Sequence, residues 1–209
     1  MNGWQIAAIL FVFCLIVVIL TRSITLANRL DRLHRRMVAT RDELDQLSVQ
    51  RAQLCIQLTQ SMSGPAGQKL KQDAQACHEA SAVLLAHDHL DRRELPRIFD
   101  QQAVVERWEH ESALTRDLRH CTIDDVEEAS QEVLTELIRV CYRIHVARTM
   151  HNVDVVQAQH LRSDPLVALF HLYGSAPMPA SIDFDDDLTQ APVFSAGSLA
   201  ALQEESTHE

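Results

Sequence analysis

The chain has 209 residues, which is enough for one ordinary domain with an appendage at each end. Its ten aromatic residues and five glycines argue against β-sandwiches, propellers and Rossmann-type nucleotide folds, because those folds need aromatic strands or glycine-rich turns. With a net charge of −10, the chain is not expected to bind nucleic acid, since nucleic acid binding requires a basic surface.

The amino-terminal segment is strongly apolar. Residues 1–21 carry no charged side chain, and residues 6–20 form an unbroken apolar run. A helix of about 18 such residues spans roughly 27 Å, close to the thickness of a hydrocarbon core. A signal peptide or a buried core helix would also be apolar, but no basic residue precedes the run and no small-x-small cleavage site follows it. The segment therefore predicts a transmembrane anchor over residues 1–21.

The arginines beside this segment indicate its orientation. None precedes the apolar run, and a group of them follows it: Arg22, Arg29, Arg32, Arg35 and Arg36. The positive-inside rule then predicts a single-pass protein of the cell membrane, with the amino terminus outside and the rest of the chain in the cytoplasm. We expect the same arginines to lie against anionic lipid head groups.

The next stretch predicts a long amphipathic helix that continues out of the membrane. Its apolar positions alternate at spacings of four and three residues, as in a coiled-coil seam, with polar interruptions at Thr40 and Arg51. The seam comprises Leu26, Leu30, Leu33, Met37, Thr40, Leu44, Leu47, Arg51, Leu54 and Leu58. The helix should end before residues 61–67, a segment rich in serine, glycine and proline.

Three further helices are predicted, over residues 68–93, 97–119 and 122–162, with Thr122 as the cap of the last. Each carries apolar residues on one face. The three faces comprise Leu70, Ala74, Cys77, Ser81 and Leu84, then Val104, Val105, Trp108, Leu114 and Leu118, then Val126, Ser130, Val133, Leu137, Val140, Ile144, Ala147, His151 and Ala158. A short apolar turn over residues 166–173 follows. Together these patterns predict an all-α fold, an antiparallel bundle of about four helices over residues 22–173.

Residues 174–209 differ in composition from the rest of the chain. They hold seven acidic residues and no lysine or arginine, so they supply −7 of the net −10. The acidic residues are Asp183, Asp185, Asp186, Asp187, Glu204, Glu205 and Glu209. With three prolines and several small polar residues, the segment predicts a disordered acidic tail. The alternative is that the tail folds back on the arginines that follow the apolar run.

The five cysteines are an odd number at wide spacing, without a C-x-x-C pair: Cys14, Cys55, Cys77, Cys121 and Cys141. A disulfide framework or a zinc site would show pairs at short spacing. We therefore expect free thiols that are buried as small apolar groups, which fits a reducing compartment.

No group of residues points to catalysis or to a cofactor. Two segments begin the zincin pattern H-E-x-x-H, His78-Glu79 and His110-Glu111, but neither has the second histidine. A structural metal needs about four ligands, and the sequence offers only pairs such as Cys141 with His145, one helical turn apart. Nucleophile-elbow, phosphate-loop and dinucleotide-binding motifs are absent from the sequence. We expect no metal and no cofactor, while a Cys–His couple between helices stays open.

Two groups of residues on the predicted first and fourth helices form a pattern. The first group is Asn28, Leu30, Leu33, Arg36, Met37, Leu44, Asp45, Arg51, Ala52 and Leu54, and the second is Ala147, Arg148, His151, Asn152 and Val155. In order and spacing, both groups resemble the LemA family of membrane proteins. The chain is a divergent match, with Arg41 where the family usually has tryptophan, Ile56 for proline and His151 for tyrosine. Its excess of arginine over lysine is typical of the GC-rich genomes of actinobacteria.

The resemblance implies a single-pass anchor and a cytoplasmic helical bundle, with no established activity. From the residues themselves, His151 lies on the predicted seam and is expected to be a buried, hydrogen-bonded histidine rather than a metal ligand. Arg148 and Asn152 flank it, and a pairing of Arg148 with Asp45 on the first helix is one structural hypothesis.

Three functions are compatible with the sequence. The first is a membrane-tethered scaffold or interaction protein that binds itself or another membrane protein, and it agrees best with the anchor and the long seams. The second is a signalling or stress-sensing component in which the anchor helix passes a conformational change into the bundle. The third is a metal-dependent enzyme built from histidines of several helices, which metal analysis of residues 22–173 would test.

Overall fold

A computed structural model describes residues 3–62, 64–86, 101–121, 130–174, 176 and 178–188. Within these ranges the chain forms five helices and no strand, which confirms the predicted all-α fold. The helices are α1 (Gly3–Leu58), α2 (Pro65–Ala86), α3 (Gln101–His120), α4 (Gln131–Arg162) and α5 (Pro165–Leu169). The predicted cap at Thr122 and the ends of the second and third helices near residues 87–100 lie outside the described residues.

The helix α1 is 56 residues long because no glycine or proline interrupts residues 4–58. It ends at the predicted loop, where Gly64 has a φ of 100° that favours glycine. The next helix begins with Pro65, three residues earlier than the sequence predicts, because proline fits the first turn of a helix. One part of α1 is long and apolar enough to cross a membrane, and its side chains are exposed in the structure. A signal sequence near an amino terminus meets the same criterion.

The chain divides into two compact units. The first unit comprises residues 1–40 and 150–181, and therefore the first part of α1, the end of α4, and α5. Its apolar core consists of Leu26, Leu30, Leu33, Met37, Val155, Ala158, Leu161 and Val167. At the edge of this core, the Arg36 guanidinium lies 3.3 Å from the buried carboxylate of Asp154. The predicted seam of the first helix thus packs against the fourth helix in this unit.

The second unit comprises residues 41–149 and 182–209, and it contains the helical bundle. Here α1 and α4 are antiparallel: Glu43 contacts Arg143 at 3.1 Å, and Gln50 donates to Glu136 at 3.4 Å. The core of this unit forms two clusters, one around Cys55, Leu114 and Leu137 and the other around Leu44, Ile144 and Phe184. The predicted buried faces of all four long helices contribute to these clusters, but Val105, predicted on the buried face of the third helix, is exposed.

Part of the predicted tail belongs to the second unit. Residues 178–188 have no regular secondary structure, but Ile182, Phe184 and Leu188 are buried in its core. Asp186 is buried as well. The ordered part of the chain therefore extends beyond the predicted boundary at residue 174, while residues 189–209 lie outside the described residues.

The neighbouring residues Val155 and Val156 offer a matched test of the first unit's core. Val155 is fully buried and Val156 is 61% exposed. We expect Val155→Ala to lower the free energy of unfolding by about 1.5–3 kcal/mol, because it removes buried methyl groups and leaves a cavity. The control change Val156→Ala should alter it by less than about 0.5 kcal/mol. Thermal and urea unfolding followed by circular dichroism would measure both, and equal effects would contradict this core.

Candidate functional site

The centre of the second unit contains a buried ion pair between α1 and α3. Arg51 and Glu111 are both fully buried, and a guanidinium nitrogen of Arg51 contacts a carboxylate oxygen of Glu111. Arg51 also donates to the hydroxyl of buried Thr115 at 3.2 Å and to the backbone carbonyl of Glu111 at 3.3 Å. The Thr115 hydroxyl in turn donates to that carbonyl at 3.0 Å. Arg51 is thus the point at which three polar groups of α3 meet α1.

This pair explains one of the two interruptions in the apolar seam. A charge placed among apolar side chains is costly unless an opposite charge and hydrogen bonds meet it. Burial is the largest single effect and would lower the pKa of Arg51, but the Glu111 carboxylate together with the side chains of Cys141, Cys77 and Cys55 raises the pKa above its ordinary value. The guanidinium therefore stays charged, and a position that looks like a break in the seam becomes the polar centre of the core.

Three free thiols lie near this ion pair, those of Cys55, Cys77 and Cys141. Burial raises the pKa of the Cys55 thiol, that of Cys77 to about 12 and that of Cys141 to about 11. Arg51 acts in the opposite direction but does not compensate for burial. Since the thiolate is the nucleophilic form, these side chains are unreactive at neutral pH. The predicted free, buried thiols are confirmed for these three cysteines, whereas Cys14 is exposed on α1.

A second ion pair and a row of stacked groups lie on α3. Arg107 is buried and lies 2.7 Å from a carboxylate oxygen of Asp45 on α1. Its guanidinium lies 5.0 Å from the ring centroid of Trp108. Trp108 stacks on Phe184, with ring centroids 5.4 Å apart and an angle of 18° between the planes. The row therefore links α3 to the extended segment 178–188.

The extended segment is held mainly by its acidic residues. Arg148 on α4 donates two hydrogen bonds to the Asp186 carboxylate, at 2.8 and 2.7 Å, and its guanidinium lies 5.7 Å from the Phe184 ring centroid. Nδ1 of His145 lies 3.2 Å from the same carboxylate. Arg119 contacts the Asp185 carboxylate and donates to the backbone carbonyl of Asp187 at 2.6 Å. Bidentate arginine–carboxylate contacts are strong and directional, so they hold this segment of the chain against α3 and α4.

The structure corrects the predicted pairing of Arg148 with Asp45. Asp45 contacts Arg107, and Arg148 contacts Asp186. Asp45 and Arg148 therefore each have a different partner. The acidic segment does fold back onto arginines, but these are Arg119 and Arg148 rather than the group that follows the apolar run.

The residues of the family-like pattern fall into separate environments. Leu30, Leu33 and Val155 share the core of the first unit, whereas Leu44 and Ala147 belong to the second. His151 is buried, as predicted. Asn28 is exposed, Arg36 pairs with Asp154, and Asn152 is half-buried. The pattern therefore describes the core surfaces of α1 and α4 more than a single site.

Sequence reasoning missed Glu111, Thr115, Arg107 and Asp186. One signal was present, because an arginine at a seam position requires a buried carboxylate on another helix. Glu111 was considered only as part of the pair His110-Glu111, and nothing in the sequence singles out Asp186 among its acidic neighbours.

The part of the chain that the structure describes contains no group of three or more histidine, cysteine, aspartate or glutamate residues arranged to hold a metal ion. No family profile, curated protein or solved structure matches the chain in comparisons with known proteins.

The buried ion pair predicts a specific pattern of stability changes. Arg51→Met or Glu111→Leu alone should lower the free energy of unfolding by about 3–5 kcal/mol, because each leaves an uncompensated buried group. The double variant should recover most of this loss. Arg143→Met is the matched control: its ion pair with Glu43 is half-exposed, so the expected change is about 0–1 kcal/mol. Single changes no larger than this control, measured by urea unfolding, would refute the role of the pair.

The acidic segment predicts a change in protease sensitivity. Asp186→Asn removes the charge that Arg148 binds, and such charge-assisted hydrogen bonds contribute about 1.5–3 kcal/mol. Chymotrypsin should then cleave after Phe184 at least about tenfold faster, because the segment detaches more often. Asp183 is exposed, so Asp183→Asn should leave the cleavage rate unchanged. Equal rates in the two variants would show that Asp186 does not hold the segment.

Proposed function

We propose that this protein is a single-pass membrane protein whose helical domain acts by binding other proteins, including copies of itself, rather than by catalysis. The observation that carries the proposal is the continuity of α1. Its exposed apolar stretch runs without a break into residues that the first unit buries, beginning with Ser23 and Leu26. An anchor joined to a domain in this way serves to hold that domain at a surface.

Two observations favour an anchor over a cleaved signal sequence. A signal peptide has a small-x-small cleavage site after its apolar run, and no such site follows the run in this sequence. In addition, cleavage after residue 21 would cut α1 two residues before buried Ser23, within one continuous helix. The arginines after the run support a cytoplasmic location of the helical domain and a contact with anionic lipid.

Membership of the LemA family remains part of the proposal. Its support is the sequence pattern together with the burial of matched positions such as Leu30, Leu44, Arg51 and Val155. Core positions of this kind are those that related bundles would share.

The outer face of α4 is the surface that we propose for self-association. Within the first unit, exposed apolar side chains recur along this face at a spacing of three residues: Met150, Val153 and Val156. Copies anchored in one membrane have the same orientation. The same face of two copies can therefore pack together about a two-fold axis normal to the membrane. Confinement to the membrane also raises the effective concentration of the copies. A second copy is therefore the occupant that the anchor itself favours.

Disulfide crosslinking in intact membranes tests this proposal. In a chain carrying Cys14→Ala, Val153→Cys should give a disulfide-linked dimer on mild oxidation, because the three thiols near Arg51 and that of Cys121 are buried. Glu109→Cys places the thiol at an exposed position of α3 and is the matched control. A dimer from Val153→Cys but not from Glu109→Cys is the expected result. No dimer from Val153→Cys, or equal yields from both, would contradict self-association through α4.

A further inference from the structure

The turn after α4 presents apolar side chains on its outer surface. Residues 165–174, here called the apolar turn, comprise α5 and the bends that follow it. On the inner side, Val167 is fully buried in the core of the first unit. On the outer side, Leu169 is 69% exposed and Phe170 is 48% exposed. The turn therefore has one apolar side that the protein covers and another that it leaves open.

Backbone and side-chain hydrogen bonds give the apolar turn a defined shape. Asp164 caps α5 by accepting from the backbone N–H of Leu166 at 2.9 Å. The N–H of Leu172 donates to the carbonyl of Val167 at 3.1 Å, and that of Gly174 donates to the carbonyl of His171 at 2.9 Å. These hydrogen bonds thus hold Leu169 and Phe170 at defined positions on the outer surface of the turn.

The apolar turn lies toward the end of the apolar run of α1. Along α4, the contacts with α1 move toward the amino end of α1: Glu136 contacts Gln50, Arg143 contacts Glu43, and Asp154 contacts Arg36. The end of α4 and α5 therefore lie toward the amino end of α1, and Val167 belongs to the core that contains Leu26, Leu30, Leu33 and Met37. Leu26 lies six residues after Leu20, the last residue of the run, which is about 9 Å along a helix. Interfacial segments insert about 5–10 Å into the head-group region, so the distance fits.

The surroundings of the apolar turn have the chemistry of a membrane interface. The Arg162 guanidinium lies 4.6 Å from the ring centroid of Tyr173, and tyrosine is enriched at membrane interfaces. Exposed basic residues follow the apolar run on the same unit, while the neighbouring Asp31 is paired with Arg35 at 2.7 Å. These basic residues are Arg22, Arg29 and Arg32. The local charge therefore suits anionic head groups beside an apolar insertion.

We propose that the apolar turn is a second membrane contact, in which Leu169 and Phe170 insert into the lipid interface next to the arginines that follow the anchor. The inference rests on the proposed anchoring by α1, because that anchoring places the turn at the bilayer. We expect a lipid bilayer to cover the turn, because the apolar run of α1 and the apolar turn lie on either side of the exposed arginines. The first unit is then held at two points, which fixes its tilt and rotation relative to the membrane.

Depth-dependent fluorescence quenching tests this proposal on the full-length chain in vesicles of phosphatidylcholine and phosphatidylglycerol. The background carries Trp4→Phe and Trp108→Phe, so that each further variant has one tryptophan. Phe170→Trp reports on the apolar turn, Phe13→Trp reports on the anchor, and His34→Trp is the exposed control in the same unit. Circular dichroism confirms that each variant is helical. Quenchers are lipids labelled either near the head group or deep in the acyl chain.

We expect the Phe170→Trp variant to have blue-shifted emission and at least about twofold stronger quenching by the shallow label than the His34→Trp variant. The Phe13→Trp variant should be quenched by the deep label. Deep quenching of Phe13→Trp without shallow quenching of Phe170→Trp would overturn the second contact alone. Blue-shifted emission of Phe170→Trp without quenching by either label would also overturn it, since a protein then covers the turn. No quenching of Phe13→Trp would overturn the anchor itself.

Discussion

A helix that continues from hydrocarbon into an aqueous domain keeps its backbone N–H and C=O groups paired within the helix across the boundary. The helix α1 is such a helix, because it continues from its apolar run to Leu58 without glycine or proline after Gly3. Its apolar run is exposed throughout, whereas its next residues alternate between buried and exposed positions. One helix thus changes from an all-round apolar surface to a one-sided apolar stripe. On our proposal, that change marks the edge of the membrane, and it determines where the apolar turn and the basic residues lie.

The polar contacts of the second unit fix the alignment of its helices more precisely than its apolar core does. Leucine, valine and cysteine side chains tolerate small shifts between helices, whereas the Arg51–Glu111 contact requires a single alignment of α1 with α3. The contact of Asp45 with Arg107 supports the same alignment from a different part of α1. The stacking of Trp108 on Phe184, together with the Arg148–Asp186 contact, then adds the extended segment to this frame. Charged groups in this unit therefore specify which surfaces meet.

The helices and their buried faces were predictable from the sequence, because a spacing of three and four residues over long stretches leaves little choice of structure. The pairing of charges was not. Arg148 and Asp45 both lie near predicted seams, but the choice between Asp45 and Asp186 depends on the path of residues 178–188. That path depends in turn on the burial of Ile182 and Phe184, in a segment whose composition is typical of disorder. A few apolar residues among acidic ones form too weak a pattern to predict such an extended, buried segment. The apolar turn was visible as an apolar stretch, but the exposure of Leu169 and Phe170 required the structure.

The most direct test of the membrane anchor is the intact mass of the native protein in the membrane fraction after alkaline washing. Anchoring by an uncleaved α1 predicts a chain that still contains residues 1–21 and is retained in the washed membranes. A shorter chain that begins after residue 21 and leaves the membranes on washing would contradict the anchor.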